Sequence, residues 1–261
     1  MRITALAGGT GAAKLLRGLG PLVDPRSLTV IVNTGDDTEI WGLHVSPDLD
    51  TVCYTLGGVI DEGKGWGLAD ETFHTLDQIA RFGEPLWFNL GDRDLATHLH
   101  RTRLLREGRT LSEATRAIAS ALGVSATVLP MSDQPVRTRI LGPDGWLAFQ
   151  EYFVREKAQV EVRAVEYAGA ATARPAPGVV EAIGTADIVL VCPSNPITSS
   201  TSSSIARASS RRSRGDRAGT SRCLALTRSL TGTAAMRPLV MPPRACRGCG
   251  ARARSRPHGS T

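Results

Sequence analysis

The sequence predicts an α/β fold: a Rossmann-like parallel sheet with an inserted α+β subdomain, followed by a disordered C-terminal tail. Three observations predict it. The apolar run Arg2–Ala7 ends in Gly8-Gly9-Thr10-Gly11 and passes into apolar positions 12, 15, 16 and 19, which reads as strand, glycine turn and helix. A second apolar run, Leu28–Val32, follows one crossover later and ends in Asn33-Thr34-Gly35-Asp36-Asp37. A third, Ile188–Val191, ends in Cys192-Pro193-Ser194-Asn195-Pro196. Strands that end in glycine, acid or a small polar loop deliver ligands to the carboxyl edge of an open sheet.

The first turn suits a phosphate, because glycines let backbone N–H groups approach it and a helix N-terminus favours negative charge. It is neither of two well-known motifs. A P-loop requires Gly-Lys-Ser/Thr, and here Ala13-Lys14-Leu15 lacks the hydroxyl. A dinucleotide fingerprint requires a third glycine where Lys14 stands, and a ribose-binding acid where the second strand ends in Asn33. A plain tight turn remains the alternative.

Asp36, Asp37, Asp48 and Asp50 put four carboxylates in one short span, which repel unless a cation or solvent offsets them. Magnesium needs only one or two carboxylates besides phosphate oxygens and water. The competing reading is a polar loop in which Asp50 caps a helix over residues 51–60. Beyond it, Asp61–Gly67 is a glycine loop with one aromatic, Trp66, placed either to cover a flat ligand or to anchor the loop.

Glu71–Phe82 reads as an amphipathic helix and Leu86–Asn89 as an extended piece. Asp94 and His98 then fall on one helical face with Arg101 a turn further on, as a proton-transfer pair or as a salt-bridged helix. Thr110-Leu111-Ser112-Glu113 is a capping-box pattern opening a helix to Leu122. Ala126–Pro130, Val136–Leu141 and Trp146–Phe149 alternate like short strands, with Phe149–Arg155 as a polar–aromatic edge. These features divide the chain into a nucleotide- and metal-binding core (1–66), an inserted substrate-binding subdomain (67–165), a return to the core (166–198) and a tail (199–261).

The basic balance belongs to that tail. Residues 1–198 hold 18 Lys+Arg against 24 Asp+Glu, whereas residues 199–261 hold 13 Arg, no Lys and one acid, Asp216. The tail has no aromatic residue to stack on bases, which argues against a nucleic-acid arm. Serine-, arginine- and proline-rich text without period, beginning at one point, motivates the hypothesis of a reading-frame shift; peptides from 222–252 in the native protein would overturn it. Cys246 and Cys249 resemble half a zinc site with only His258 near. The absence of a long apolar run and of a signal peptide, together with five mostly scattered cysteines, leads to the expectation of a cytoplasmic protein with no membrane partner.

Six motifs occur together in a familiar order: Ala7–Gly11, Val32–Asp37, Ser46–Thr51, Gly65–Leu68, Leu90–His98 and Cys192–Pro196. Over residues 1–198 the chain resembles the 2-phospho-L-lactate transferase family of coenzyme F-420 biosynthesis. The resemblance implies transfer of a phospholactyl or phosphoenolpyruvyl group from a guanosine-diphosphate-linked donor to the ribityl hydroxyl of a hydroxy-deazariboflavin, with Mg2+ as cofactor and GMP released. It implies a metal on Asp36 and Asp50, phosphate held by Gly9, Thr10, Gly11 and Lys14, and Trp66 against the deazaflavin ring. Asp37 or His98 would take the hydroxyl proton, and Asn33, Arg93, Ser194 and Asn195 would complete the substrate site. No nucleic acid is implied, and homodimerisation is left open. A related group with the same glycine turn, which binds UDP-sugars as a non-catalytic regulator, is the alternative.

Overall fold

A computed structural model describes residues 1–193 and the backbone of residues 222–228 and 234–238. Its core is a six-stranded sheet. Five strands are β1 (Ile3–Ala7), β2 (Leu28–Val32), β5 (Thr127–Pro130), β9 (Ile188–Val191) and β10 (Arg222–Arg228), all mutually parallel where they pair. The sixth, β11 (Ala234–Pro238), is antiparallel to β10, and the order across the sheet is β11-β10-β9-β1-β2-β5. Of the tail expected to lack regular structure, these two segments are strands; the rest, with Cys246, Cys249 and His258, lies outside the described residues. So do Ser194 and Asn195.

Strands β1, β2 and β9 are largely apolar and buried because both faces of the sheet are covered there. Ile3, Ala5 and Ala7 of β1 and Leu28, Val30 and Val32 of β2 face one layer, packed on Leu16 of α1 (Gly9–Leu19), Leu49 and Val52 of α2 (Pro47–Leu56) and Ala119 of α5 (Leu111–Ala121). The alternate residues, Leu6 and Ile31, face the other layer, where Met131, Val136, Ala176 and Val179 of α6 (Val179–Thr185) close the core. This is the period-two division of a pleated strand.

Between β2 and α2 runs a hairpin, β3 (Thr38–Ile40) and β4 (Leu43–Val45). Helix α3 (His74–Arg81) and helix α4 (Asp92–Arg106) follow α2, and α5 precedes β5. The α5 capping box is present as the sequence predicts, with Thr110 accepting from Glu113 N–H and the Glu113 carboxylate accepting from Thr110 N–H. Strand β5, counted with the insertion in the sequence, is the edge strand of the core sheet. A separate three-stranded antiparallel sheet, β7-β6-β8, is built from β6 (Arg137–Gly142), β7 (Gly145–Ala148) and β8 (Ala164–Ala168).

Two local departures matter. Helix α2 opens at Pro47 behind Ser46 rather than after Asp50, so Asp48 and Asp50 stand in its first turn instead of capping it. Proline at the first helical position has its φ already set and lacks an N–H that would go unpaired, and acids there complement the helix dipole. Residues Glu151–Arg155, read as an extended edge, form a single π-helical turn.

Two glycines of the first turn are fixed by geometry. Gly9 has φ +67°, in the left-handed region. At Gly11 a Cβ would lie 2.5 Å from the Pro193 carbonyl oxygen, so the turn after β1 and the end of β9 approach backbone to backbone. Gly11→Ala is expected to lower unfolding free energy by about 1–3 kcal/mol in urea titrations. Gly18→Ala, in the same helix with nothing within 4 Å of the added Cβ, is expected to raise it by roughly 0.5–1 kcal/mol. Equal effects at both positions would contradict the close approach.

Candidate active site

A cavity of about 400 Å3 opens at the carboxyl ends of β1 and β2. The Gly8–Gly11 turn forms one side. Asp36, Asp48 and Asp50 form an acidic floor, continued by Asp94 and His98 from α4. Trp66, Phe88, Phe149 and Phe153 supply an aromatic wall, with Gln150 between the two last. No lysine or arginine lines it among the described residues.

The floor divides in two because Asp48 and Asp50 are two positions apart on a helix, hence about 200° apart around its axis. Asp48 turns toward β2. Its Oδ2 accepts from Asn33 Nδ2 at 2.9 Å, and the Gly9 N–H supplies a second bond. Asn33 Oδ1 accepts from Gly35 N–H at 3.0 Å, so the residue that ends β2 braces the acidic loop rather than facing a ligand. Asp36 Oδ1 faces Thr138 Oγ1 at 3.4 Å, and the Asp36 carbonyl accepts from Gln150 Nε2 at 3.3 Å.

Burial and mutual repulsion destabilise the ionised forms of this pair. Burial pushes the Asp48 carboxyl up to about 6, with Asp37 adding to the rise and the Asn33 and Gly9 bonds opposing it. Burial, then Asp48, raises Asp36 well above its ordinary value. A carboxyl raised in the folded state favours folding when protonated. Its contribution is complete below about pH 4 and is lost as pH rises through about 6. Chemical unfolding of the ligand-free chain is therefore expected to show about 2–3 kcal/mol less stability from Asp48 at pH 7 than at pH 4. Asp48→Asn should flatten that slope, and an unchanged slope would refute the assignment.

Asp50 turns toward α4. It forms a two-point pair with Arg101, Nη1 to Oδ2 at 3.1 Å and Nη2 to Oδ1 in close contact, with both side chains buried. Arg101 Nη1 also lies 3.3 Å from His98 Nδ1. A guanidinium only donates, so in the neutral ring Nδ1 accepts and the proton sits on Nε2. That nitrogen stands 3.3 Å from Asp94 Oδ1, out of line for a hydrogen bond. The Tyr54 hydroxyl donates to Asp94 at 2.6 Å. Burial alone would raise the Asp94 carboxyl; the His98 ring, Tyr54 and Arg101 outweigh it and hold it below the usual range.

The predicted residues are thus only partly brought together. Gly9, Thr10, Gly11, Asp36, Asp50, Trp66 and His98 line the cavity. Asp37 does not: its Oδ2 is 3.1 Å from His44 Nε2, which is also 3.1 Å from Ser46 Oγ, in a cluster behind the floor. Lys14 lies in a neighbouring recess of about 30 Å3 between α1 and the Trp66 loop. Arg93 is exposed, donating to the Ala69 carbonyl.

The aromatic wall is delivered by two short segments. The loop carrying Trp66 is closed by the Asp61 N–H bond to the Gly67 carbonyl, and Lys64 sits 5.7 Å from the Trp66 ring. Phe149 and Phe153 stack at 5.5 Å and 14°, one on each side of the π-turn's start. Trp66 and Phe153 keep 40% and 53% of their surface exposed, so their faces are open to a ligand. Sequence reading placed Arg101 on the Asp94–His98 face and Phe149–Arg155 at a polar–aromatic edge, but gave Phe149, Gln150, Phe153 and Arg101 no part in the site. The Phe149/Phe153 spacing of four, a helical signal, was available but was read as strand.

Oxygen donors suited to a hard cation are present in Asp36 and Asp48, which share Asn33 and repel each other. Asp50 is already neutralised by Arg101. No cluster of three or more His, Cys, Asp or Glu that could hold a metal by themselves occurs among the described residues, so any ion there would complete its shell with ligand oxygens or water.

The profile of the family described as 2-phospho-L-lactate transferase CofD matches residues 3–203. The chain is 50% identical over 204 residues to a phosphoenolpyruvate transferase of Streptomyces griseus, across 76% of this chain and 64% of that protein. It is 52% identical to one of Kitasatospora aureofaciens over 205 residues, with the same coverage. The chain therefore spans slightly under two thirds of the length of these relatives. A crystal structure of a UPF0052 family protein from Bacillus halodurans shares the fold, with TM-score 0.51 and 23% identity over 76% of this chain and 60% of that one. The profile match, which spans residues 3–203 of the 261, makes this chain a member of the 2-phospho-L-lactate transferase (CofD) family.

Proposed function

We propose that the chain transfers a phosphorylated three-carbon acid group from a guanosine-diphosphate-linked donor to the ribityl hydroxyl of 7,8-didemethyl-8-hydroxy-5-deazariboflavin, releasing GMP, in coenzyme F-420 biosynthesis. The names of the relatives favour phosphoenolpyruvyl as the group. The observation that carries the reading is that a glycine turn, an acidic pair and an aromatic wall share one cavity. A diphosphate and a flat ring are the two chemistries such walls accept together.

On this reading the Gly8–Gly11 turn offers backbone to the phosphates. Asp36 and Asp48, rather than Asp36 and Asp50, would hold Mg2+. That ion would neutralise the diphosphate and the charge on departing GMP. The Asp36–Asp48 pair on the floor, with no Lys or Arg lining the cavity among the described residues, would otherwise repel a nucleotide. Trp66 and the Phe149–Phe153 stack would flank the deazaflavin. The new P–O bond would form to the ribityl oxygen as the P–O bond to GMP breaks, and the hydroxyl proton would pass to the departing GMP phosphate, directly or through water.

Asp37, turned to His44 behind the floor, is poorly placed to receive that proton. His98 lies wedged between Asp94 and the Asp50–Arg101 pair, and we assign it to positioning. Alignment and charge neutralisation then carry the transfer, as is usual in phosphoryl chemistry.

Thermal shift separates this reading from its rivals. GDP with Mg2+, and the deazaflavin separately, should each stabilise the chain, by about 2.7 kcal/mol at a hundredfold excess over Kd. Stabilisation by a UDP-sugar or by NAD, with none from GDP and Mg2+, would overturn it.

A further inference from the structure

The acidic loop and the aromatic wall are physically joined. Thr138, on β6 of the three-stranded sheet, reaches the acidic loop twice: its N–H donates to the Gly35 carbonyl at 2.7 Å, and its Oγ1 lies 3.4 Å from Asp36 Oδ1. Gln150, between Phe149 and the π-turn, donates to the Asp36 carbonyl at 3.3 Å. All of these groups are buried. The segment that supplies Phe149 and Phe153 is therefore anchored on the residue that supplies a carboxylate to the floor. A single π-helical turn is rare and recurs at functional sites, and here it carries Phe153 against Phe149 on the cavity wall.

We infer that Thr138 and Gln150 are positioning residues that couple the two halves of the site, so that a divalent cation on the Asp36 side and a planar ligand on the Phe149 side each tighten the other's binding. The inference rests on the proposed function for the nature of the two ligands. Its physical basis is this. Asp36 is held by Thr138 of the neighbouring sheet and by Gln150 just beyond it, and is repelled by Asp48 and, less strongly, by Asp37. A cation removes the repulsion and fixes the Asp36 loop. Fixing the loop fixes Gln150, and with it the Phe149–Phe153 stack that the ring must meet. By linkage the effect is reciprocal: a ring seated on the wall holds the loop ready for the cation.

The test titrates the full chain with 7,8-didemethyl-8-hydroxy-5-deazariboflavin, followed by its own fluorescence, with and without saturating Mg2+ and without donor, so that nothing turns over. Mg2+ is also titrated by calorimetry with and without the deazaflavin. The wild-type chain should bind the deazaflavin about fivefold or more tightly with Mg2+, and the calorimetric factor should equal it. Thr138→Val and Gln150→Leu should bring that factor close to one, whereas Thr138→Ser, which keeps the hydroxyl, should retain it. Thermal melts of each variant show that it is folded before its factor is read. A wild-type chain that binds both ligands independently overturns the coupling, as do variants that keep the full factor; either result leaves the proposed function standing. A wild-type chain that binds no deazaflavin in either condition overturns the proposed function and this inference with it.

Discussion

Arg101→Met should unfold far more easily than the wild-type chain, by about 3–5 kcal/mol in urea titrations. Arg101 is among the largest fully buried side chains described, and it is paired at two points with Asp50. Its removal leaves the Asp50 carboxylate inside the fold with only the His98 ring, at 3.7 Å, beside it. The converse change, Asp50→Ala, strands a guanidinium in the same place and should cost a similar amount. The resemblance implies instead a metal ligand at Asp50, whose removal from a solvated site would cost the fold little. The discriminating measurement is the double variant Asp50→Leu/Arg101→Met. If the pair is a matched buried charge, the double variant should recover most of the stability that either single change loses, because buried pairs are often replaceable by apolar residues. A double variant as unstable as the sum of the singles would mean that the two residues act separately.

Asp36→Asn should have the opposite signature: an intact fold and a lost reaction. The amide keeps an oxygen for Thr138 and relieves the repulsion with Asp48, so the ligand-free variant should be at least as stable as wild type at pH 7. On the proposed reading it also loses half of the carboxylate pair that offsets the diphosphate through Mg2+. GMP release from the guanosine-diphosphate-linked donor should then fall about a thousandfold, equivalent to roughly 4 kcal/mol of transition-state stabilisation. The Mg2+-dependent thermal shift should vanish with it. Asp48→Asn should behave likewise. An Asp36→Asn chain that turns over within a few-fold of wild type would remove this residue from the cation site.

The two predictions separate a floor that looks uniform in sequence. Four aspartates within one short span read as a single acidic cluster. In the fold, Asp36 and Asp48 face each other, Asp50 belongs to Arg101, and Asp37 belongs to His44. Nothing in the local pattern distinguishes them, because Arg101 is brought to Asp50 by the packing of α4 on β4 and α5, across 51 positions of chain.

Some features needed no tertiary information. The strand–turn–helix at the start, the second and third apolar strands and the capping box of α5 follow from hydrophobic period, glycine placement and short-range hydrogen bonding, which act within a few residues. The family, too, was legible, because six short motifs in a fixed order survive independently of how the chain packs. Among the described residues no helix is long and apolar enough to cross a membrane, in keeping with the absence of a long apolar run. What only the tertiary structure decided is which side chains meet. It drew Lys14 and Arg93 away from the cavity, handed Asp50 to Arg101, and set Phe149 and Phe153 on a π-turn against the acidic loop. Those outcomes depend on burial and on charges brought together from distant parts of the chain, and the cost of burying an unpaired charge then selects the partners.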